Sequence, residues 1–134
     1  MKIFIYSWLL SFLLLISIDY VWFSITLQRF YKPYIGHLFT GNFSYTVAFA
    51  FYILYSFGIT YLILNPNFHS LESLFKIFCN GFILGLVAYG AYDLTNHATM
   101  KDWPMIVTVV DMLWGGTLTS ITAVITYKIM SFFI

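Results

Sequence analysis

Four long apolar segments constrain the fold of this chain more than any other feature. They cover residues 3–27, 45–64, 74–97 and 104–127, and each reaches the roughly 20 residues that a helix needs to cross a bilayer. Each segment is continuously apolar, whereas the strands of a membrane barrel alternate. Because short connections place consecutive helices side by side, the sequence predicts an all-α membrane protein. We expect one antiparallel four-helix bundle, and residues 1–134 as a single domain.

The composition supports this class and excludes others. Charged residues make up 8% of the chain and hydrophobic residues 61%, whereas soluble domains carry about 25% charge. The net charge of +1 provides no basic surface for nucleic acid, so the lipid bilayer is the expected partner. The single cysteine, Cys79, excludes an internal disulfide and a metal site built from cysteines.

Two connections carry structural signals. The longest, residues 28–44, reads as a short interfacial segment on the bilayer surface or as a lid over the bundle. Four of its apolar residues are spaced to share one side of a short helix: Phe30, Tyr31, Tyr34 and Leu38. The run Asn65-Pro66-Asn67 predicts a sharp end to the second transmembrane helix.

Three of the five acidic residues fall inside the apolar segments: Asp19, Asp93 and Asp111. A carboxylate at mid-membrane costs about 2.5–3.5 kcal/mol on insertion scales, so three indicate a function. At 1.5 Å per residue, Asp19 lies about 12 Å, Asp93 about 6 Å and Asp111 about 10 Å from the nearer end of its segment. In alternating helices all three depths belong to the half of the bilayer that faces residues 28–44. The sequence therefore predicts one cluster of carboxyl groups.

The first and fourth segments repeat one motif, Asp-x-x-Trp. Trp22 follows Asp19 and Trp114 follows Asp111, each one helical turn later. An indole N–H is a donor only, which suits a buried carboxylate. We expect the two motifs to meet in a two-fold-like arrangement.

The third segment places further polar residues beside Asp93. Tyr89, Asn96 and His97 lie three or four positions from it and so share its helix face. Small residues on the same helix, at 81, 85 and 88, allow another helix to approach closely.

Basic residues are missing at the depth of the three aspartates. Arg29, Lys32 and Lys101 lie near the segment ends and reach inward only by snorkelling. Three unpaired carboxylates cannot all be ionised in a low-dielectric interior. They must be protonated, solvated in a cavity or neutralised by a bound cation.

Several motifs together resemble a known family. They are Phe30-Tyr31…Gly36-His37-Leu38, Tyr92-Asp93-Leu94-Thr95-Asn96…Ala98-Thr99…Trp103-Pro104 and Val110-Asp111…Trp114-Gly115. In these the chain resembles the small four-helix bacterial membrane proteins catalogued as domain of unknown function 2177. The resemblance extends over essentially the whole chain and includes Asp19 and Trp22. It implies an integral protein of the bacterial inner (cytoplasmic) membrane, and it implies no activity.

The hypothesis that we favour is a small carrier. Carboxyl groups that load and release protons inside the membrane are the usual device of proton- or cation-coupled transporters. Asp19, Asp93 and Asp111 would bind the proton or ligand, with polar neighbours completing the site: Trp22, Tyr89, Asn96 and Trp114. Four helices are few for one pathway, so this hypothesis includes a homo-oligomer, in the simplest case a dimer.

A membrane-embedded hydrolase is the alternative. Two carboxyls that share a proton can act as general acid and base on a water molecule. Asp93 and Asp111 would form the catalytic pair, with Asn96 or Asp19 orienting a lipid or lipoprotein substrate.

A metal site and a purely structural role complete the alternatives. Asp93 and His97 have the spacing of two ligands on one helix turn, and His37 is a further candidate beside the other aspartates; such ligands suit Mn, Fe or Zn. No cofactor is evident from the sequence. Protonated aspartates can also fasten helices together, but the measured gain averages only about 0.6 kcal/mol per hydrogen bond.

Overall fold

The computed structural model describes residues 1–70 and 73–134, and every regular element in them is helical. The long helices are α1 (Lys2–Thr26), α3 (Tyr45–Ile59), α5 (Leu74–Thr99) and α6 (Met105–Ser131). After α1 the chain stays helical through a π-helical turn (Leu27–Tyr31), α2 (Lys32–Ile35) and a 3₁₀ turn (Gly36–Leu38). After α3 it continues through a second π-helical turn (Thr60–Leu64) into α4 (Asn65–Ser70).

Four continuous helical stretches are long and apolar enough to cross a membrane. They are Lys2–Leu38, Tyr45–Ser70, Leu74–Thr99 and Met105–Ser131. This confirms the predicted all-α class with four transmembrane helices. The antiparallel order and the single domain stay predictions.

The second transmembrane helix does not end at Asn65-Pro66-Asn67, so that prediction was wrong. Pro66 has no N–H and interrupts the ladder of an α-helix. The π-helical turn just before it widens the backbone where that hydrogen bond is missing. Asn67 then supplies a donor of its own, because its buried Nδ2 lies 2.5 Å from the carbonyl oxygen of Ile63. The helix therefore runs on to Ser70.

The segment after α1 buries a different side from the predicted one. Tyr31 and Ile35 are buried in a small cluster with Trp103 and Val107 of the α5–α6 connection and α6. Of the four predicted residues only Phe30 and Tyr31 belong to this cluster, because Tyr34 and Leu38 are exposed. The π-helical turn inserts extra backbone and so rotates the following side chains. This packing supports the interpretation of the segment as a lid, and we call residues 27–38 the lid.

Helix α6 lies at the centre of the bundle. It packs against both α1 and α5, and half of the residues in its apolar 18-residue stretch are buried. The predicted small-residue stripe lies in the α5–α6 contact, where a Cβ added to Gly81 would lie only 2.9 Å from the Cα of Ser120. The stripe thus allows α5 and α6 to approach each other closely.

Candidate functional site

Asp19 is held by two neutral donors. Its Oδ2 accepts a hydrogen bond from the Tyr52 hydroxyl at 2.5 Å, and its Oδ1 accepts one from Trp114 Nε1 at 2.9 Å. The side chain is 2% exposed. Both oxygens therefore have partners inside the membrane, and neither of these partners is a basic residue.

Asp111 is held by the segment that follows α1. The Tyr31 hydroxyl donates to Asp111 Oδ1 at 2.6 Å and accepts a hydrogen bond from Trp22 Nε1 at 3.1 Å. Tyr31 is itself buried. Tyr31 thus connects Trp22 of α1 with Asp111 of α6.

The two Asp-x-x-Trp motifs meet in a crossed arrangement. Trp114 of α6 donates to Asp19 of α1, and Trp22 of α1 reaches Asp111 of α6 through Tyr31. The two indole rings stack with their centroids 4.2 Å apart. The sequence anticipated the meeting of the motifs but not the tyrosine between them.

Asp93 is the unsatisfied member of the cluster. It is fully buried, and neither of its oxygens accepts a hydrogen bond from any donor in the part of the chain that the structure describes. The carboxyl of Asp111 lies within hydrogen-bonding reach of Asp93. Carboxylates offer acceptors only, so a hydrogen bond joins the two when one of them carries a proton. Asp93 and Asp111 thus form a carboxyl pair with room for one shared proton.

Tyr89 and Asn96 differ in their relation to the aspartates. The Tyr89 ring abuts Gly115, and its side chain is close enough to interact electrostatically with Asp19 and Asp111. Asn96 is half-buried and lies within reach of Tyr92. Among the described residues no hydrogen bond joins Asn96 to an aspartate, so it stands at the edge of the cluster.

The metal candidates are not assembled. His97 Nδ1 lies 3.3 Å from the Thr108 hydroxyl, whereas His37 is exposed on the 3₁₀ turn. Within residues 1–70 and 73–134 no group of three His, Cys, Asp or Glu side chains is placed to hold a metal ion. The fit between these residues and a bound metal is therefore poor.

Sequence reasoning missed Tyr31 as a site residue and Tyr52 altogether. The position of Tyr52 in the sequence could have indicated its role. It lies seven residues after the start of its helix, which corresponds to about 10 Å from that helix end and to the expected depth of Asp111. A tyrosine hydroxyl at that depth needs a polar partner. The contact of Tyr31 with Asp111 was not predicted, because Tyr31 lies outside the first predicted transmembrane segment.

An apolar groove lies directly beside the cluster. Its volume is about 460 Å³, and Trp22 and Trp114 form part of its wall. The remaining lining comes from α1: Ser17, Ile18, Val21 and Ile25. Val21 and Ile25 are exposed on the outer surface of the bundle, so the groove opens towards lipid, and Trp114 separates it from Asp19.

A comparison with known protein families gives a match. A family model described as "Predicted membrane protein (DUF2177)" matches residues 4–128. No curated protein and no solved structure matches the chain.

Proposed function

The chain belongs to the DUF2177 family of predicted membrane proteins, and we propose that it is a small carrier driven by proton or cation binding. It is an integral membrane protein with four apolar helices that can span a bilayer. The carrier proposal places the binding event at the carboxyl pair of Asp93 and Asp111.

The unsatisfied Asp93 carboxyl is the observation that supports this proposal. A fully buried polar group without a partner is costly, and such groups are retained where a ligand satisfies them. Here the ligand must bring a positive charge or a proton, because both members of the pair are acids. A carrier needs a site that is favourable when loaded and unfavourable when empty, and two buried acids with one proton between them would meet this need.

Asp19 plays a different part in this proposal. Tyr52 and Trp114 already satisfy its oxygens, so in this proposal it anchors these two side chains and leaves proton binding to the pair. Asp111 is the member that the lid can reach, through Tyr31. Movement of Tyr31 away from Asp111 would open the pair towards the membrane face on the lid side.

The proposal includes a homodimer in the bacterial inner membrane. The apolar groove beside the cluster is not lined by an aspartate, and in this proposal a second copy completes the solute pathway. Static light scattering of the purified protein in detergent tests this part. A particle containing one chain would contradict it.

Proton flux into liposomes tests the carrier. Purified protein is reconstituted around a pH-sensitive dye, and influx is followed after a pH step with valinomycin and potassium present. We expect Asp93→Asn and Asp111→Asn each to abolish protein-dependent influx. Asp102→Asn is the matched control, because Asp102 is exposed and lies outside the helices. Influx that persists in both pair variants, or is absent from the wild type with and without sodium, would overturn the proposal.

A membrane-embedded hydrolase is the second candidate, and the apolar groove favours it. An acyl chain in the groove would lie against Trp22 and Trp114. Asp93 and Asp111 would then serve as general base and general acid on water. Release of fatty acid or head group from defined phospholipids, lost in both Asn variants, would support the hydrolase. Flux without hydrolysis would exclude it.

A further inference from the structure

A second polar feature runs through the bundle on the far side of the aspartates. On α1 the buried side chains occupy one face at four-residue intervals: Ser7, Ser11, Leu15 and Asp19. On α6 one face carries Asp111 and then three buried threonines, Thr119, Thr122 and Thr126. Each of these faces begins at an aspartate and continues with hydroxyl groups towards the other end of its helix. We call the hydroxyl groups of Thr119, Thr122, Thr126, Ser11 and Ser7 the hydroxyl row.

The hydroxyl row joins the two helices. The Ser11 hydroxyl donates to Thr126 Oγ1 at 3.3 Å, and all the side chains in the row are fully buried. Nearer the aspartates, Thr119 Oγ1 lies 2.5 Å from the Tyr55 hydroxyl. On α6 the row runs from Thr119 to Thr126, about 10 Å along the helix, and Asp111 lies about 12 Å before Thr119. Together with the aspartates it covers most of a hydrocarbon core about 30 Å thick.

Two members of the row have no hydrogen-bond partner in the part of the chain that the structure describes. Ser7 Oγ and Thr122 Oγ1 are buried and make no hydrogen bond with any described residue. Hydroxyls in helices commonly donate to the carbonyl one turn earlier, as Thr119 and Ser120 do here. The row therefore contains two buried polar groups that backbone bonding leaves unsatisfied, and these need a ligand.

The positions of these two hydroxyl groups point to water as that ligand. Thr122 lies one turn from Thr126 on the aspartate side, and Ser7 lies one turn from Ser11 on the opposite side, so they bracket the Ser11–Thr126 hydrogen bond. Neighbouring hydroxyls on α6 are about 4.5–6 Å apart along the axis, a gap that one water closes with two hydrogen bonds of about 2.8 Å. Neutral hydroxyls both donate and accept, as a chain of waters requires.

We propose that the hydroxyl row holds a single file of water that conducts protons between the carboxyl pair and the membrane face opposite the lid. This inference rests on the proposed carrier function and supplies its second access route. Leu15 interrupts the row on α1, so the path at that level depends on Thr119 and Thr122 of α6. A side chain without oxygen at Thr122 would break the file.

The flux assay tests the path through one position. Thr122→Val replaces the hydroxyl by a methyl group of the same size, and Thr122→Ser retains the oxygen. Thr117→Val is the matched control, since Thr117 is only half-buried and bonds to the Leu113 carbonyl. We expect Thr122→Val to slow influx by about tenfold or more, because proton transfer loses one hydrogen-bonded step. Thr122→Ser and Thr117→Val should conduct as the wild type.

The outcomes separate this inference from the carrier proposal. If Asp111→Asn abolishes influx while Thr122→Val conducts normally, the carrier stands and the water file is wrong. If Thr122→Ser fails with Thr122→Val while both fold, packing rather than the oxygen is responsible, and the water file is again wrong.

Radiolytic labelling tests the water without reference to transport. A brief X-ray pulse converts bound water to hydroxyl radicals, which oxidise the adjacent side chain. Leu15 is fully buried beside the row, so we expect its oxidation in the wild type and its loss in Thr122→Val. Absence of Leu15 oxidation in the wild type would show that the row is dry and would overturn the inference even if no flux is found.

Discussion

Gly85 of α5 faces the peptide carbonyl of Gly115 on α6 so closely that a methyl group on Gly85 would overlap it. Asp93 lies two turns beyond Gly85, and Asp111 lies one turn before Gly115. The close approach of the two backbones therefore brings two acids on different helices within hydrogen-bonding reach. With larger residues at this crossing, the helices would separate and the carboxyl pair would not form.

Gly85→Ala should strongly destabilise the bundle. Besides the Gly115 carbonyl, the added methyl would lie 2.6 Å from the Cα of Gly116, and backbone cannot rotate away as a side chain can. We expect a loss of about 3 kcal/mol in the free energy of unfolding. Gly58→Ala is the control, because nothing lies within 4 Å of its new Cβ, and it should be neutral or slightly stabilising. Thermal unfolding in detergent measures the stability of both variants. Equal effects of the two substitutions would contradict the close contact between α5 and α6 at Gly85.

Replacing Trp114 should cost more stability than replacing Trp22. Trp114→Phe retains an aromatic ring in the stack but removes one of the two donors to buried Asp19, at a cost of about 1–3 kcal/mol. Trp22→Phe removes only a donor to the Tyr31 hydroxyl, which still donates to Asp111. Denaturant titration of both variants measures the difference. A larger loss for Trp22→Phe would show that the carboxylate is not the critical acceptor.

The lid should loosen when Tyr31 loses its hydroxyl. In Tyr31→Phe the hydrogen bond to Asp111 is absent, so residues 27–38 lose their polar attachment to α6. We expect faster amide hydrogen exchange in this segment by about tenfold, the effect of a hydrogen bond worth about 1.4 kcal/mol. Tyr34→Phe lies in the same segment but is exposed, and its exchange should match the wild type. Unchanged exchange in Tyr31→Phe would exclude the lid.

Asp19→Asn should cost more stability than Asp93→Asn. An amide at 93 can donate to the Asp111 carboxylate without a shared proton, so we expect the free energy of unfolding to change by less than about 1 kcal/mol. An amide at 19 replaces one of the two accepting oxygens by a donor, so the Tyr52 O–H or the Trp114 N–H loses its acceptor. We expect this to lower the free energy of unfolding by about 1–3 kcal/mol. Chemical unfolding in mild detergent compares them. Strong destabilisation by Asp93→Asn would indicate that the pair is not bonded through a proton.

Local signals predicted part of the site and failed at specific residues. Asp19 and Trp114 were predicted to meet because depth and motif spacing along straight helices are regular. Tyr31 was placed on the lid but not in the site, because a π-helical turn changes which side chains face inward. The same effect carried the second helix past Pro66, where the proline alone predicts an end.

The sequence by itself determined that this chain is an all-α membrane protein with four spans, and it predicted that Asp19, Asp93 and Asp111 lie in one half of the bilayer. Both follow from hydropathy and from the fixed rise of a helix, which depend on residues close together in the chain. Only the tertiary structure decided which acid is satisfied and which is not. Asp19 receives donors from α3 and α6, whereas Asp93 faces another acid. That distinction depends on how helices rotate and approach one another, and the rotation is set by packing around glycines and π-helical turns rather than by any local pattern.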